Sequence, residues 1–220
     1  KINLGLRVLE KRPDGFHSIE TLFVPTDLCD ILEIVPVARK KGTLHTTGIE
    51  LDSVPDDNLV MRAWRMMHDR YGIPAVDAHL HKIVPVGAGL GGGSADAAFM
   101  LSGLNELFAC GCSEGELEYM AATLGSDCAF FIRNRPALGT ERGEKLKSID
   151  LDLSGWEMLL VKPDIHISSG QAYAGVVPRD PGNRLTELIA RDPGTWQSAI
   201  TNDFETSVFR QYPVIEELKE

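Results

Sequence analysis

Pro85-Val86-Gly87-Ala88-Gly89-Leu90-Gly91-Gly92-Gly93-Ser94-Ala95-Asp96-Ala97-Ala98 is the stretch whose reading decides this chain. Five of the seven residues from 87 to 93 are glycine. Glycine loses more conformational freedom on folding than any other residue, so such a run needs a compensating contact: a ligand, or close packing on a neighbour. Before it, Val76, Ala78, Leu80 and Lys82 alternate with Asp77, His79, His81 and Ile83, which predicts a strand with one exposed face. After it, Ala97, Leu101, Leu104 and Phe108 share one face of a helix. A glycine-rich loop between a strand and a helix N-terminus leaves backbone N–H groups uncovered, and these wrap an anion. Ser94 adds a hydroxyl for a phosphate oxygen or for Mg²⁺, with Asp96 as a second metal candidate by its place in the loop helix.

Other phosphate loops fit less well. Gly87-x-Gly89-x-x-Gly92 satisfies a dinucleotide fingerprint, but no acidic residue closes a strand about 20 positions later. A Walker A loop needs Gly-Lys-Ser/Thr, and the loop has no Lys. The protein-kinase motifs His-Arg-Asp and Asp-Phe-Gly are absent.

Outward from the loop, Lys1–Leu9, Ile19–Val24 and Asp30–Val35 read as strands, with a turn at Arg12-Pro13-Asp14-Gly15. The polar segment 39–48 reads as a hairpin. Asn58–Tyr71 reads as a helix stopped by Gly72 and Pro74. Ser113 to Glu116 forms a capping box that opens another helix, closed by Gly125. Cys128–Ile132 reads as a short strand, as does Glu157–Val161. Helices are expected at 172–177, 184–190 and 204–209. The pattern changes near residue 150, which predicts domains at 1–150 and 151–220.

The composition of the 220 residues, 43% hydrophobic and 25% charged, is that of an ordinary globular protein. A net charge of −10 repels nucleic-acid backbones. Cys29, Cys110, Cys112 and Cys128 form no C-x-x-C pair and read as reduced thiols of a cytoplasmic protein. No apolar run approaches the roughly 20 residues of a membrane span. His79 and His81 lack a third ligand and read as surface or core-edge histidines. The chain opens on Lys1 rather than Met and stops on Glu216-Glu217-Leu218-Lys219-Glu220, so both ends read as cut.

The loop pattern resembles the phosphate loop of the GHMP kinases. Lys1-Ile2-Asn3-Leu4-Gly5-Leu6, Arg12-Pro13-Asp14-Gly15-Phe16-His17, Asn58-Leu59-Val60, Leu124-Gly125-Ser126-Asp127-Cys128-Ala129-Phe130-Phe131, Gly139-Thr140-Glu141-Arg142-Gly143-Glu144 and Asn202-Asp203-Phe204-Glu205 narrow it. Together they are similar, in order, to the branch that acts on cytidine-diphosphate-linked methylerythritol. The resemblance implies an α+β GHMP kinase fold in two domains. A mixed N-terminal sheet with helices would carry the loop, and the C-terminal α/β domain would be incomplete. It implies transfer of the ATP γ-phosphate to the 2-hydroxyl of that substrate, with Mg²⁺.

By the same resemblance, Lys1 and Asp127 are catalytic, and Asp127 also meets the substrate. Pro85, Gly87, Ala88, Gly89, Leu90, Gly91, Gly92, Gly93, Ser94 and Ala95 bind ATP, with Asn58 on the adenine side. Asn3, Phe16 and His17 bind the acceptor: Phe16 occupies the cytosine-stacking position, where Tyr is more usual, and His17 the position that bonds the cytosine edge. Ser168 and Ser169 match a segment where Thr is usual. The family's third glycine-rich motif has no counterpart before Glu220. Two alternatives stay open: another GHMP kinase with a mevalonate-type or sugar alcohol, and a non-catalytic ligand sensor of the same fold. The pair Phe16-His17, suited to a nucleobase, separates the first of these.

Overall fold

The computed structural model describes residues 1–51 and 55–220. The elements run β1 (Ile2–Lys11), β2 (His17–Val24), β3 (Ile31–Pro36), β4 (Thr43–Gly48), α1 (Leu59–Tyr71), β5 (Val76–Lys82), α2 (Gly92–Leu107), α3 (Glu114–Leu124), α4 (Cys128–Arg133), β6 (Ala137–Glu141) and β7 (Lys145–Ser148). Short helices follow: α5 (Ser169–Ala174), α6 (Leu185–Ile189), α7 (Trp196–Ala199), α8 (Glu205–Gln211) and α9 (Pro213–Lys219). None of the described helices is long and apolar enough to cross a membrane.

Two compact units emerge: Lys1 with Pro25–Asn134, and Ile2–Val24 with Arg135–Glu220. They do not follow one cut near residue 150. The physical reason is strand pairing, since β2 pairs with β6 and so joins the first two strands to the later part of the chain.

In the first unit, β5 is flanked by β3 antiparallel and β4 parallel. Segment 39–48 is therefore no hairpin; its strand β4 takes its hydrogen bonds from β5. The alternation of β5 holds, with Val76, Ala78, Leu80 and Lys82 buried. His81 bonds Thr47 across the sheet, and His79 stacks on His45. Helix α2 packs against α1, α3, α4 and β3. Asn58 caps α1 through its side chain, and Gly72 ends it at φ 65°. The Ser113–Glu116 box caps α3 with both of its bonds.

Cys128–Ile132, expected as a strand, is the helix α4. A five-residue apolar run fits either structure. Here Cys128, Ala129, Phe130 and Phe131 are buried, and the segment packs as a helix on α2 and α3.

In the second unit, β1, β2, β6 and β7 form an antiparallel sheet in that order. Leu22 and Val24 pack with Leu185 and Ile189 of α6. Leu6, Val8 and Ile19 meet Tyr173, Val176 and Phe204. Gly5 sits at a bulge of β1 with φ 74°, and a Cβ there would meet Ile200 at 2.7 Å, so the bulge requires glycine. Asp203 accepts the Val8 N–H at 2.8 Å and Leu6 pairs with Asn202, which ties the Asn202–Glu205 motif to β1. Glu157–Val161 forms no strand; Leu159 is 89% exposed and the segment has no ladder partner among the described residues.

Candidate functional site

The glycine loop connects β5 to α2. Gly87, Gly89 and Gly91 have φ of 69°, 74° and 73°. Alternate positive φ turns successive N–H groups toward one concavity, a shape that binds anions. Helix α2 starts with no side-chain cap, so the N–H groups of its first turn stay open to a ligand. A Cβ at Gly91 would stand 3.1 Å from the Phe131 ring and 3.3 Å from Lys1 Cε, so glycine is required on both counts.

Lys1 belongs to this unit. Its Nζ donates to Gly89 O at 2.9 Å and lies 3.2 Å from Asp127 Oδ2. Its backbone nitrogen donates to Leu90 O at 3.0 Å. The Lys1 side chain is 5% exposed and that of Asp127 34%, so the ammonium is enclosed while the carboxylate keeps an open side. Asp127 precedes α4 but makes no capping hydrogen bond with its side chain. Burial pushes the Cys128 thiol up, against an opposing effect of the Ser94 hydroxyl. The loop, Ser94, Lys1 and Asp127 are thus brought together. Asn58 Oδ1 is used in capping, accepting the Val60 N–H at 2.9 Å.

The expected acceptor residues lie in the second unit. Asn3 Nδ2 donates to Thr21 Oγ1 at 2.9 Å, and that hydroxyl donates to Gly5 O at 2.6 Å. Phe16 is 56% exposed, at the end of a turn held by Asp14, which accepts the Phe16 N–H at 3.0 Å. The Arg142 guanidinium lies 5.0 Å over the Phe16 ring. The His17 ring stacks on Tyr173 at 4.9 Å and 8°. Ser168 caps α5 in a capping box with Gln171, and Ser169 is the first residue of that helix.

The GHMP kinases N terminal domain family matches residues 58–135, the part that holds the loop and Asp127. A protein of Bacteroides fragilis named 4-diphosphocytidyl-2-C-methyl-D-erythritol kinase is 48% identical over the full chain, which covers 81% of it. This chain belongs to that kinase family. A relative of the same name from Parabacteroides distasonis is 46% identical over the full chain and 80% of its own length. A crystal structure of 4-(cytidine 5'-diphospho)-2C-methyl-D-erythritol kinase superposes with a TM-score of 0.76 at 31% identity, covering 99% of this chain and 78% of that one. Homoserine kinase from Cytophaga hutchinsonii, 14% identical with a TM-score of 0.57 over 86% of this chain and 62% of its own, shares the fold. GHMP membership and its α+β fold are therefore established.

Two features escaped the sequence reading. Lys82, on the inward face of β5, bonds both Asp30 and, at 2.8 Å, Asp96 Oδ2. Burial pushes the Asp96 carboxyl up to about 6 against the pull of Lys82. Burial also acts to raise Asp30, but Lys82 and the N–H groups of Ile83 and Val84 hold it below the usual carboxylate range. The signal was a lysine in an apolar alternation, a position rarely left uncompensated. Tyr173, the stacking partner of His17, carried no local signal, since the pairing spans two distant segments.

Proposed function

We infer that this kinase moves the γ-phosphoryl group of ATP to the 2-hydroxyl of 4-diphosphocytidyl-2-C-methyl-D-erythritol, a step of isoprenoid biosynthesis. The observation that carries the reading is the Lys1 ammonium joined to both Gly89 O of the loop and Asp127 Oδ2. Phosphoryl transfer asks a protein for positioning and for neutralising spread charge rather than for covalent work. N–H donors from Gly87 to Ser94 and the Lys1 charge meet that need, with Ala95, whose N–H goes to Gly91 O, closing the first turn behind them. The acceptor oxygen forms a bond to the γ-phosphorus, the bond to the bridging oxygen breaks, ADP leaves, and Asp127 takes the hydroxyl proton. Phe16 offers an open ring face for cytosine, His17 a ring nitrogen for its edge, Asn3 an amide beside the acceptor, and Asn58 its remaining amide donors for adenine.

Mg²⁺ accompanies the nucleotide in this reading. The described residues hold no cluster of three or more His, Cys, Asp or Glu, a donor set that suits an ion carried mainly by phosphates and water. Ser94 would hold it, and the ion supplies neutralisation of phosphate charge. Four free thiols support a cytoplasmic setting.

Asp127→Ala should lower acceptor-dependent ADP release by about 10²–10⁴-fold, with ATP binding by calorimetry kept. Turnover near that of the unaltered protein would reject the role given to Asp127.

A further inference from the structure

The glycine loop is flexible by composition, so its shape has to be imposed from its ends. At the β5 end, the regular ladder stops: β3 pairs with β5 as far as His81 and β4 as far as Lys82. Beyond it, the N–H groups of Ile83 and Val84 both go to one atom, Asp30 Oδ1, at 2.6 and 2.9 Å. The other oxygen, Oδ2, holds Lys82 Nζ, and Lys82 passes on to Asp96 of α2 at 2.8 Å. A Cβ on Gly92, the first residue of α2, would lie 3.3 Å from Asp30 Oδ2 and 3.1 Å from Val84 Cγ1. The Asp30 and Lys82 side chains are each 3% exposed, so water does not compete for these bonds.

We propose that Asp30 is a positioning residue for ATP: one buried carboxylate fixes the residues that enter the glycine loop and, through Lys82, the helix that leaves it. Asp30 contacts neither Lys1 nor Asp127 among its hydrogen bonds and ion pairs. Its effect therefore falls on the geometry of the N–H cradle, which is set before nucleotide arrives. The inference rests on the loop being the ATP site.

Asp30→Asn keeps an oxygen for the two N–H groups and removes the charge facing Lys82. It should raise the ATP KM about tenfold, the scale of one lost charge-assisted hydrogen bond, with the acceptor KM within about twofold. Measured well below its melting temperature, a variant that is less stable but has both KM values unchanged would make Asp30 merely structural and overturn the proposal. An equal rise in both KM values would overturn it too. If the variant does not fold, hydrogen exchange on the unaltered, nucleotide-free protein decides. The Ile83 and Val84 amides should be protected like those of β5, and free exchange there would refute the pin. Failure of the ATP-site reading is distinct, because the unaltered protein would then show no ATP binding by calorimetry.

Discussion

Asp30 and Asp14 do similar work in surroundings that differ. Each accepts backbone N–H groups at an irregular segment, Asp30 from Ile83 and Val84, Asp14 from Phe16. Each is held below the usual carboxylate range, Asp14 chiefly by the Phe16 N–H and Asp30 by Lys82 and its two N–H donors against the opposing effect of burial. Asp30 is enclosed with its lysine, whereas Asp14 meets Arg12 in the open at 3.3 Å. Exposed pairs of that kind contribute about 0–1 kcal/mol, while breaking a buried pair costs roughly 3–5 kcal/mol. The difference teaches that the loop side is rigidly built before ligand arrives, and that the Phe16 turn is held lightly.

The strongest test on the loop side is Lys1→Met. It removes the cation between Gly89 O and Asp127 and should reduce kcat about 10²–10³-fold, as loss of one charge-stabilising donor does. Rapid-quench measurement of phosphoryl transfer with a kcat left intact would break the comparison. Next comes Gly91→Ala. The αL geometry costs about 1–2 kcal/mol for a side-chain-bearing residue, and the new methyl presses on Phe131 and Lys1. A fall of about tenfold in kcat/KM for ATP, with acceptor binding unchanged by calorimetry, is expected from that strain.

On the other side, Phe16→Ala should raise the acceptor KM about three- to tenfold, the worth of one aromatic stacking contact, and leave the ATP KM alone. Phe16→Tyr should behave like the unaltered protein. An ATP effect as large as the acceptor effect would dissolve the distinction.

The smallest effect is on acid stability. Asp30 and Asp14 have folded pKa values below the ordinary 3.8, so both stabilise the fold above that pH and lose the contribution as pH falls through their folded values. Melting temperature followed downward from about pH 5 should fall less steeply in Asp30→Asn than in the unaltered protein. Asp14→Asn should change the slope much less.

Where structure followed local pattern, the sequence was readable. The β5 alternation, the Ser113 capping box, the Gly72 stop and the loop itself all depend on neighbours in the chain. Cys128–Ile132 reads as a strand but folds as a helix because its apolar run is too short for its period to separate the two. Met158, Leu159, Leu160 and Val161 looked like a strand for the same reason, yet they gain no ladder. Of the candidate site, the loop and the motifs that carry Lys1 and Asp127 are readable locally, and the structure brings these residues together. The Lys82–Asp30 pair spans 52 positions, and no local rule could announce it. The stacking of His17 on Tyr173 is of the same long-range kind.

The attachment of Lys1 to the loop has one more consequence. Its side chain takes the oxygen of Gly89 and its backbone nitrogen the oxygen of Leu90. A trans peptide is planar, with its oxygen and its hydrogen on opposite edges. Drawing two consecutive oxygens toward Lys1 therefore turns the Leu90 and Gly91 hydrogens to the far side. The lysine thus gives the loop two unlike faces, an accepting one that it occupies itself and a donating one left for an anion.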